Sequence, residues 1–341
     1  MGPKKGFLLE LAMMSEIPMR RRQTMRSLSA AIGVTKSTLH RMLKREEIKR
    51  VSNRLKPLLT PENETQRVQF VMDQISAENG EFINLTKKVH VDEKNVLHTY
   101  YLLPNEEPPE RSAKSKRFIT KVMFLAAVAQ PCFNDAGDCV FNGRIGIWPF
   151  VEEAKRNSKN RPKGTLETKR VKVTKIKYYK MLEEKLIPAI REKWISGQQV
   201  QIQHDNARPH GIDLNDMNLT SSDGWDIQLI NQPPNSPDFN VLDLGFFASI
   251  QSLQQQEKMV KIDDLISAVE KSFWGQSVEV LDNVWVTYQK VMECALLAGG
   301  TNKYTLPHMG KARLRRQNQF KRILKVQDEA IDIGFEKLRP F

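Results

Sequence analysis

The sequence predicts a mixed α/β domain preceded by a small all-α unit and followed by C-terminal helices. Three observations carry this reading. Apolar residues in the first sixty positions recur at helical spacing; from Val89 they fall in short β-branched and aromatic runs bounded by turn residues; from Lys261 the helical period returns. The boundaries are read as 1–56 for the all-α unit, 57–86 for a helical linker, 87–258 for the α/β domain and 259–341 for the C-terminal helices. At 341 residues the chain can bury a sizeable core.

The all-α unit centres on MRSLSAAIGVTKSTLHRML. Leu28, Ile32, Val34, Leu39 and Met42 supply the apolar side, Gly33 permits a tight turn, and Thr35 is placed to cap the second helix. This is the pattern of a helix-turn-helix. Its second helix would present Lys36, Ser37, Thr38, His40, Arg41 and Lys44 outward, residue types that reach phosphates and base edges. Charge points the same way. The formal net charge is +13, and residues 1–60 hold fourteen Lys and Arg against four Glu, so the basicity sits at one end. Such a concentrated excess suits a polyanion. Arg20, Arg21, Arg22 and Arg26 form a basic arm of the kind that enters the minor groove beside such a unit. Double-stranded DNA is the expected partner.

Pro57 and Pro61 close this unit, and Thr60 caps a helix over PENETQRVQFVMDQI. The segments KKVHVDEKNV, HTYYLLP, TKVMFLAAVAQPCF and GRIGIWPFV read as four strands, and VQIQH and DIQLI as two more. Between these groups KYYKMLEEKLIPAIREKW is a helix with Tyr178, Met181, Leu182, Leu186 and Ile190 on one side. The run before it, 155–180, carries eleven Lys and Arg and one Glu, which would attract a nucleic-acid backbone. DDLISAVEKSFW and VEVLDNVWVTYQKVMECALLAGG are helices, the second ended by Gly299 and Gly300, and ARLRRQNQFKRILK reads as one more.

Several classes are excluded. The longest uncharged apolar run, Val122–Ala129, is far short of the roughly 20 residues a membrane helix needs, so no membrane partner is expected. The N-terminus lacks a small-residue cleavage site, so no secretory signal is read there and an intracellular location is expected. Three cysteines are too few and too scattered for a disulfide framework or a zinc knuckle.

Chemistry points to three aspartates. Asp92 ends the first strand in VHVDEK, Asp205 ends a later strand in QHDNA, and Asp243 follows the last strand in NQPPNSPDFNVLDLGFF. In an open sheet such strand ends and the following helix starts meet at one edge. Carboxylates brought together there repel unless a cation lies between them; hard oxygen ligands favour Mg²⁺ or Mn²⁺, and two such ions serve phosphoryl transfer. Taken singly, each aspartate also fits a turn or cap. Asp238 reads as the N-cap of a helix beginning at Phe239. Asp243, set among Val241, Leu242, Leu244, Phe246 and Phe247, would be costly there without a partner. His204 and His210 flank Asp205 but lack a Glu or Cys at zinc spacing.

VHVDEK, QHDNARPH and NQPPNSPDFNVLDLGFF, in that order behind a helix-turn-helix ending KSTLHRMLK, resemble the mariner-like transposases of plants. SNRLKPLLTPEN, RNSKNRPKGT and NKYTLPHMGK extend the resemblance over roughly residues 17–311. It implies a ribonuclease-H-like catalytic domain in which Asp92, Asp205 and Asp243 are the catalytic and metal-binding residues, holding two Mg²⁺ or Mn²⁺ ions. It implies cut-and-paste transposition: water cuts the element ends, and the freed 3′-hydroxyl attacks target DNA. Asn206, Arg208 and His210 would orient the site or the DNA backbone. The second helix and basic arm would bind terminal inverted repeats, in a homodimer that pairs two ends, in the nucleus. The chain departs from that family in three places. Thirty-seven residues separate Asp205 from Asp243, two fewer than typical; Asn95 and Val96 stand where aromatics are usual; and only GFLLELAMMSEI precedes Pro18, so the chain reads as N-terminally shortened. The alternative is a catalytically idle DNA-binding protein derived from such an enzyme.

Overall fold

The computed structural model describes residues 17, 25–45, 47–48, 57–96, 122–153, 166–167, 173–195, 197–207, 224–254 and 262–339. The expected strand HTYYLLP and most of the basic run 155–180 lie outside these residues. The chain divides into two compact units, Met1–Lys56 and Pro57–Phe341. No described helix is long and apolar enough to cross a membrane.

In the first unit, α1 (Met25–Ile32) and α2 (Lys36–Lys44) are joined by a turn at Gly33. Gly33 has φ 81°, a left-handed conformation that favours glycine, and its N–H closes on Ser29 O at 3.0 Å. Thr35 is extended, and its Oγ1 accepts the Thr38 N–H at 3.2 Å, capping α2. Leu28, Leu39, Met42 and Ile48 are buried together, with Ile32 and Val34 packed against them.

The second unit is built on a five-stranded sheet. Its strands are β1 (Lys88–Val96), β2 (Val122–Ala129), β5 (Arg144–Pro149), β8 (Gln199–His204) and β9 (Asp226–Asn231), in the order β5-β2-β1-β8-β9. β1–β2 and β2–β5 are antiparallel, whereas β1–β8 and β8–β9 are parallel. Two small hairpins sit outside the sheet: β3 (Cys132–Phe133) with β4 (Cys139–Phe141), and β6 (Glu152–Glu153) with β7 (Leu166–Glu167).

Side chains alternate across the sheet with period two, so β2 feeds two cores. Leu125, Ala127 and Ala129 join Val89, Val91, Val200 and Ile202 on one face. That face is covered by α4 (Lys175–Met181), a π-helical turn Leu182–Leu186 and α5 (Ile187–Lys193), through Tyr178, Leu182, Leu186 and Ile190. Phe124, Ala126 and Val128 face the other core. It is filled by α3 (Pro61–Met72), α6 (Phe247–Gln254), α7 (Ile262–Trp274), α8 (Val278–Leu297) and α10 (Asp328–Leu338).

Residues 57–86 are therefore not a free-standing linker. Val68 and Val71 of α3 are buried against α8 and α10, because α3 is apolar on the side that meets them. Gly300 marks the join: it has φ 88°, and a Cβ there would lie 2.2 Å from Glu64 O, so only glycine lets α8 end against α3. The C-terminal region is equally part of the core. Trp285, Tyr288, Val291, Met292 and Leu296 of α8 are buried, and Trp285 Nε1 donates to Ala129 O at 2.9 Å. The expected helix over ARLRRQNQFKRILK is confined to α9 (Lys311–Arg316); Asn318, at φ 53°, breaks it. Sequence reading did not anticipate α10. Gly334 interrupts its pattern, yet that glycine makes room for Met72, whose Sδ would lie 2.6 Å from an added Cβ.

Candidate active site

The parallel register sets two aspartates side by side. His90 of β1 pairs with Gln203 of β8, so Asp92 and Asp205, each two residues further along, reach the same level on adjacent strands. Asp92 accepts the Glu93 N–H at 2.7 Å, and Asp205 accepts the Ala207 N–H at 2.9 Å, a side-chain turn that ends β8. Asn206 Nδ2 donates to Gln232 O at 2.6 Å, tying the ends of β8 and β9 together.

The third aspartate is delivered by a segment fastened to those strands. Phe239 O accepts from Gln203 Nε2 at 2.7 Å, Asn240 Nδ2 donates to Val91 O at 3.2 Å, and the Val241 N–H donates to His90 Nδ1 at 3.1 Å. Leu242 N–H then closes on Asn240 Oδ1 at 3.0 Å, and a π-helical turn, Leu242–Phe246, follows at once. Such single π turns re-aim side chains and often sit at functional sites. Here the turn carries Asp243.

The three carboxyl groups act on one another. Burial pushes the Asp92 carboxyl well above its ordinary value; the charge of Asp243, a hydrogen bond with Asp243 and the charge of Asp205 push it the same way, and only the Glu93 N–H opposes them. No Lys, Arg or His among the described residues forms an ion pair with Asp92. The donors present are all carboxylate oxygens, the set that suits a hard divalent cation. Among the described residues no group of three His, Cys, Asp or Glu side chains is placed to hold a metal ion.

Two further side chains at this edge were not read from sequence as site residues. Tyr178 of α4 is buried, and its hydroxyl is pushed well up, first by burial and then by Glu93, Asp205 and Asp92. Its ring stacks on His204 at 6.2 Å. His90 lies beneath Asp92's face of the strand, edge-on to Trp285 and Tyr288; burial, then the charge of Lys88, hold it well below its ordinary value, so the imidazole is neutral and free to accept at Nδ1. One signal was available: Lys88, His90 and Asp92 alternate with Val89 and Val91, which puts all three on one face.

Two expectations are corrected. Asp243 is exposed rather than sunk in an apolar face, because the π turn rotates it outward while Val241, Leu242 and Phe246 point inward. Asp238 is not an N-cap. It lies in a 3₁₀ turn, Pro237–Phe239, and binds Arg67, whose Nη1 and Nη2 donate to Oδ1 and Oδ2 at 2.8 and 2.7 Å. The guanidinium of Arg67 is fully buried, donates through Nε to Gly300 O at 2.8 Å and stacks over Phe239 at 4.1 Å. Tyr304 also donates to Asp238.

Of the expected nucleic-acid contacts, Lys36, Ser37, His40, Arg41 and Lys44 are exposed on α2, and Thr38 is half-buried in the cap. Arg41 leans on Thr38 Oγ1 at 3.3 Å. Arg20, Arg21, Arg22, Arg208, His210 and the Arg26 side chain lie outside the described residues.

No protein-family model matches the sequence, and no curated protein sequence matches it. Solved structures match at the level of fold. A Mos1 transposase paired-end complex with left transposon end is 18% identical with a TM-score of 0.51, over 89% of this chain and 81% of that one. A pre-cleavage Mos1 transpososome is 17% identical with a TM-score of 0.52, over 89% and 82%. A Mos1 mariner paired end complex with Mn is 18% identical with a TM-score of 0.51, over 89% and 81%, and one with Mg is 18% identical with a TM-score of 0.51, over 88% and 81%. The fold is thus ribonuclease-H-like, a mixed five-stranded sheet with flanking helices.

Proposed function

We propose that this chain is a mariner-like DNA transposase, resembling those of plants, that uses Mg²⁺ or Mn²⁺ to cleave and join DNA strands. The observation that carries the reading is the action of Asp243 and Asp205 on the buried Asp92 carboxyl, which burial and like charge raise while no Lys, Arg or His among the described residues is ion-paired to it. Asp92 and Asp205, fixed at one level on adjacent strands, would hold the metal most directly, and Asp243 would complete the set. When bound, two divalent ions supply charge that activates a water and stabilises a leaving 3′ oxygen. The protein's part is placement. β1 and β8 fix two ligands, the hydrogen bonds of His90, Gln203 and Asn240 fix the third, and Asn206 holds the strand ends together. Arg208 and His210 orient the site or the DNA backbone.

The α2 side chains Lys36, Ser37, Thr38, His40, Arg41 and Lys44, with the arm Arg20, Arg21, Arg22 and Arg26, read terminal inverted repeats. Pairing two ends calls for a homodimer, and the substrate for a nuclear location. The Mos1 complexes with a transposon end, with Mn and with Mg support this reading of partner and metal. The test is cleavage of duplex DNA bearing the flanking element's ends. Asp92→Ala, folded by circular dichroism, should cut at least about 10³-fold more slowly, equivalent to about 4 kcal/mol of lost transition-state stabilisation. Wild-type cleavage no faster than this variant overturns the catalytic reading and leaves the DNA-binding derivative.

A further inference from the structure

Residues 301–327 contain eight Lys and Arg and no Asp or Glu. Most of this stretch has no regular structure beyond the six residues of α9, yet it is held firmly along α8. The anchors are polar side chains of α8 that bond to the strip. Buried Asp282 accepts from Arg315 Nη2 at 2.7 Å and Arg322 Nε at 3.2 Å. Gln289, also buried, donates to Arg322 O at 2.7 Å and accepts the Leu324 N–H at 2.8 Å. Glu293 accepts the Gln327 N–H at 3.2 Å, and Lys311 bonds Asn283 O and Thr287. Phe320 lies 3.6 Å from the Arg315 guanidinium, and Phe133 lies 3.6 Å from that of Arg322.

Helical geometry separates anchors from free charges. Lys311 and Arg315, four residues apart, share the inner side of α9, and Arg313 and Arg316, three apart, share the outer side. Arg313, Arg316 and Lys321 are exposed and form no ion pair among the described residues. Capping α8 needs only the anchors. Holding three more unpaired cations beside them costs mutual repulsion, which a polyanion relieves. Burying Asp282, Gln289 and Glu293 to fix one conformation also removes the ordering cost that a loose basic tail would meet on binding.

We propose that the strip 311–322 is a second duplex-DNA surface, binding backbone phosphates through Arg313, Arg316 and Lys321. It is separate from the carboxylate edge. Arg322 packs on β3, which follows Ala129, and Ala129 pairs with Val89 at the start of β1, behind Asp92. The inference rests on the transposase reading for its choice of DNA, but its test does not need cleavage.

The full-length chain is titrated with fluorescent duplex of unrelated sequence in EDTA, from 50 to 300 mM salt. The triple variant R313A/R316A/K321A should give a log K against log salt slope shallower by about 2 to 3, and affinity at least about tenfold weaker at 0.1 M salt. A control variant, K185A/K271A/R339A, removes three exposed cations elsewhere and should leave the slope unchanged. A triple variant with native melting temperature and wild-type slope overturns the proposal, as does an equal loss in the control. Failure of the catalytic reading is seen separately, as wild type that keeps its salt slope but cuts nothing with Mg²⁺ or Mn²⁺.

Discussion

Asp238 and Asp243 stand five residues apart on one segment, and the protein treats them in opposite ways. Burial works to raise the Asp238 carboxyl, but Arg67, by two hydrogen bonds and its charge, and the Tyr304 hydroxyl hold it below its ordinary value. The fold brings its own cation to that carboxylate and closes the account internally. At the Asp92 edge the partner groups are two more carboxylates, and the Asp92 carboxyl is driven up. A carboxylate that the fold neutralises is there for the fold. A buried carboxyl that like charges drive up, as at Asp92, favours a cation from outside.

The largest stability effect should come from breaking the closed site. Arg67→Ala leaves Asp238 without its cation and should cost about 3–5 kcal/mol in urea unfolding; a loss below about 1 kcal/mol would mean the pair is not structural. The open site should behave in reverse. Mg²⁺ or Mn²⁺ at about a hundredfold over its Kd should stabilise wild type by about 2.7 kcal/mol, read as a rise in melting temperature. Asp92→Asn should show no metal-dependent rise, and it should be no less stable than wild type without metal, since it removes a charge that burial disfavours.

Lys88 offers a third case, a buried cation with weak compensation. Burial lowers it to about 7, against the opposing charge of Asp73. Between pH 7 and 10.5 the unfolded chain binds a proton that the folded chain does not, so stability should rise with pH across that window. Lys88→Met should flatten the rise by about 1–3 kcal/mol; equal pH slopes in the two proteins would place the lysine in solvent. The smallest effect belongs to Tyr304→Phe, which removes one donor from Asp238 and should cost about 1 kcal/mol while leaving metal-induced stabilisation intact.

What the sequence made legible was periodic or local. The alternation of β1, the Gly33 turn and the caps at Thr35 and Thr60 follow from neighbours a few residues apart. The placement of Asp205 just past a strand end was legible for the same reason, whereas Asp92, expected to end its strand, lies in the middle of β1, which runs on to Val96. Asp243 stood out through an argument about burial that the structure reverses, since a π turn is one extra residue of backbone with no compositional mark. Nothing local in PENETQRVQF marks Arg67, because its partner lies 171 positions away. The second role of α8, holding the basic strip, was hidden similarly: Asp282, Gln289 and Glu293 bond to groups 33 to 40 positions further on.

The Arg67 clamp also orders events in time. It joins α3, the turn before Asp243, and Tyr304 beyond the end of α8, so it cannot close until the ribosome has passed residue 304. At about 5–20 residues per second, Arg67 is made on the order of ten seconds or more before its last partner. During synthesis the segment that carries Asp243 therefore has its strands before it has its lock, and the carboxylate edge is braced only after residue 304 has emerged.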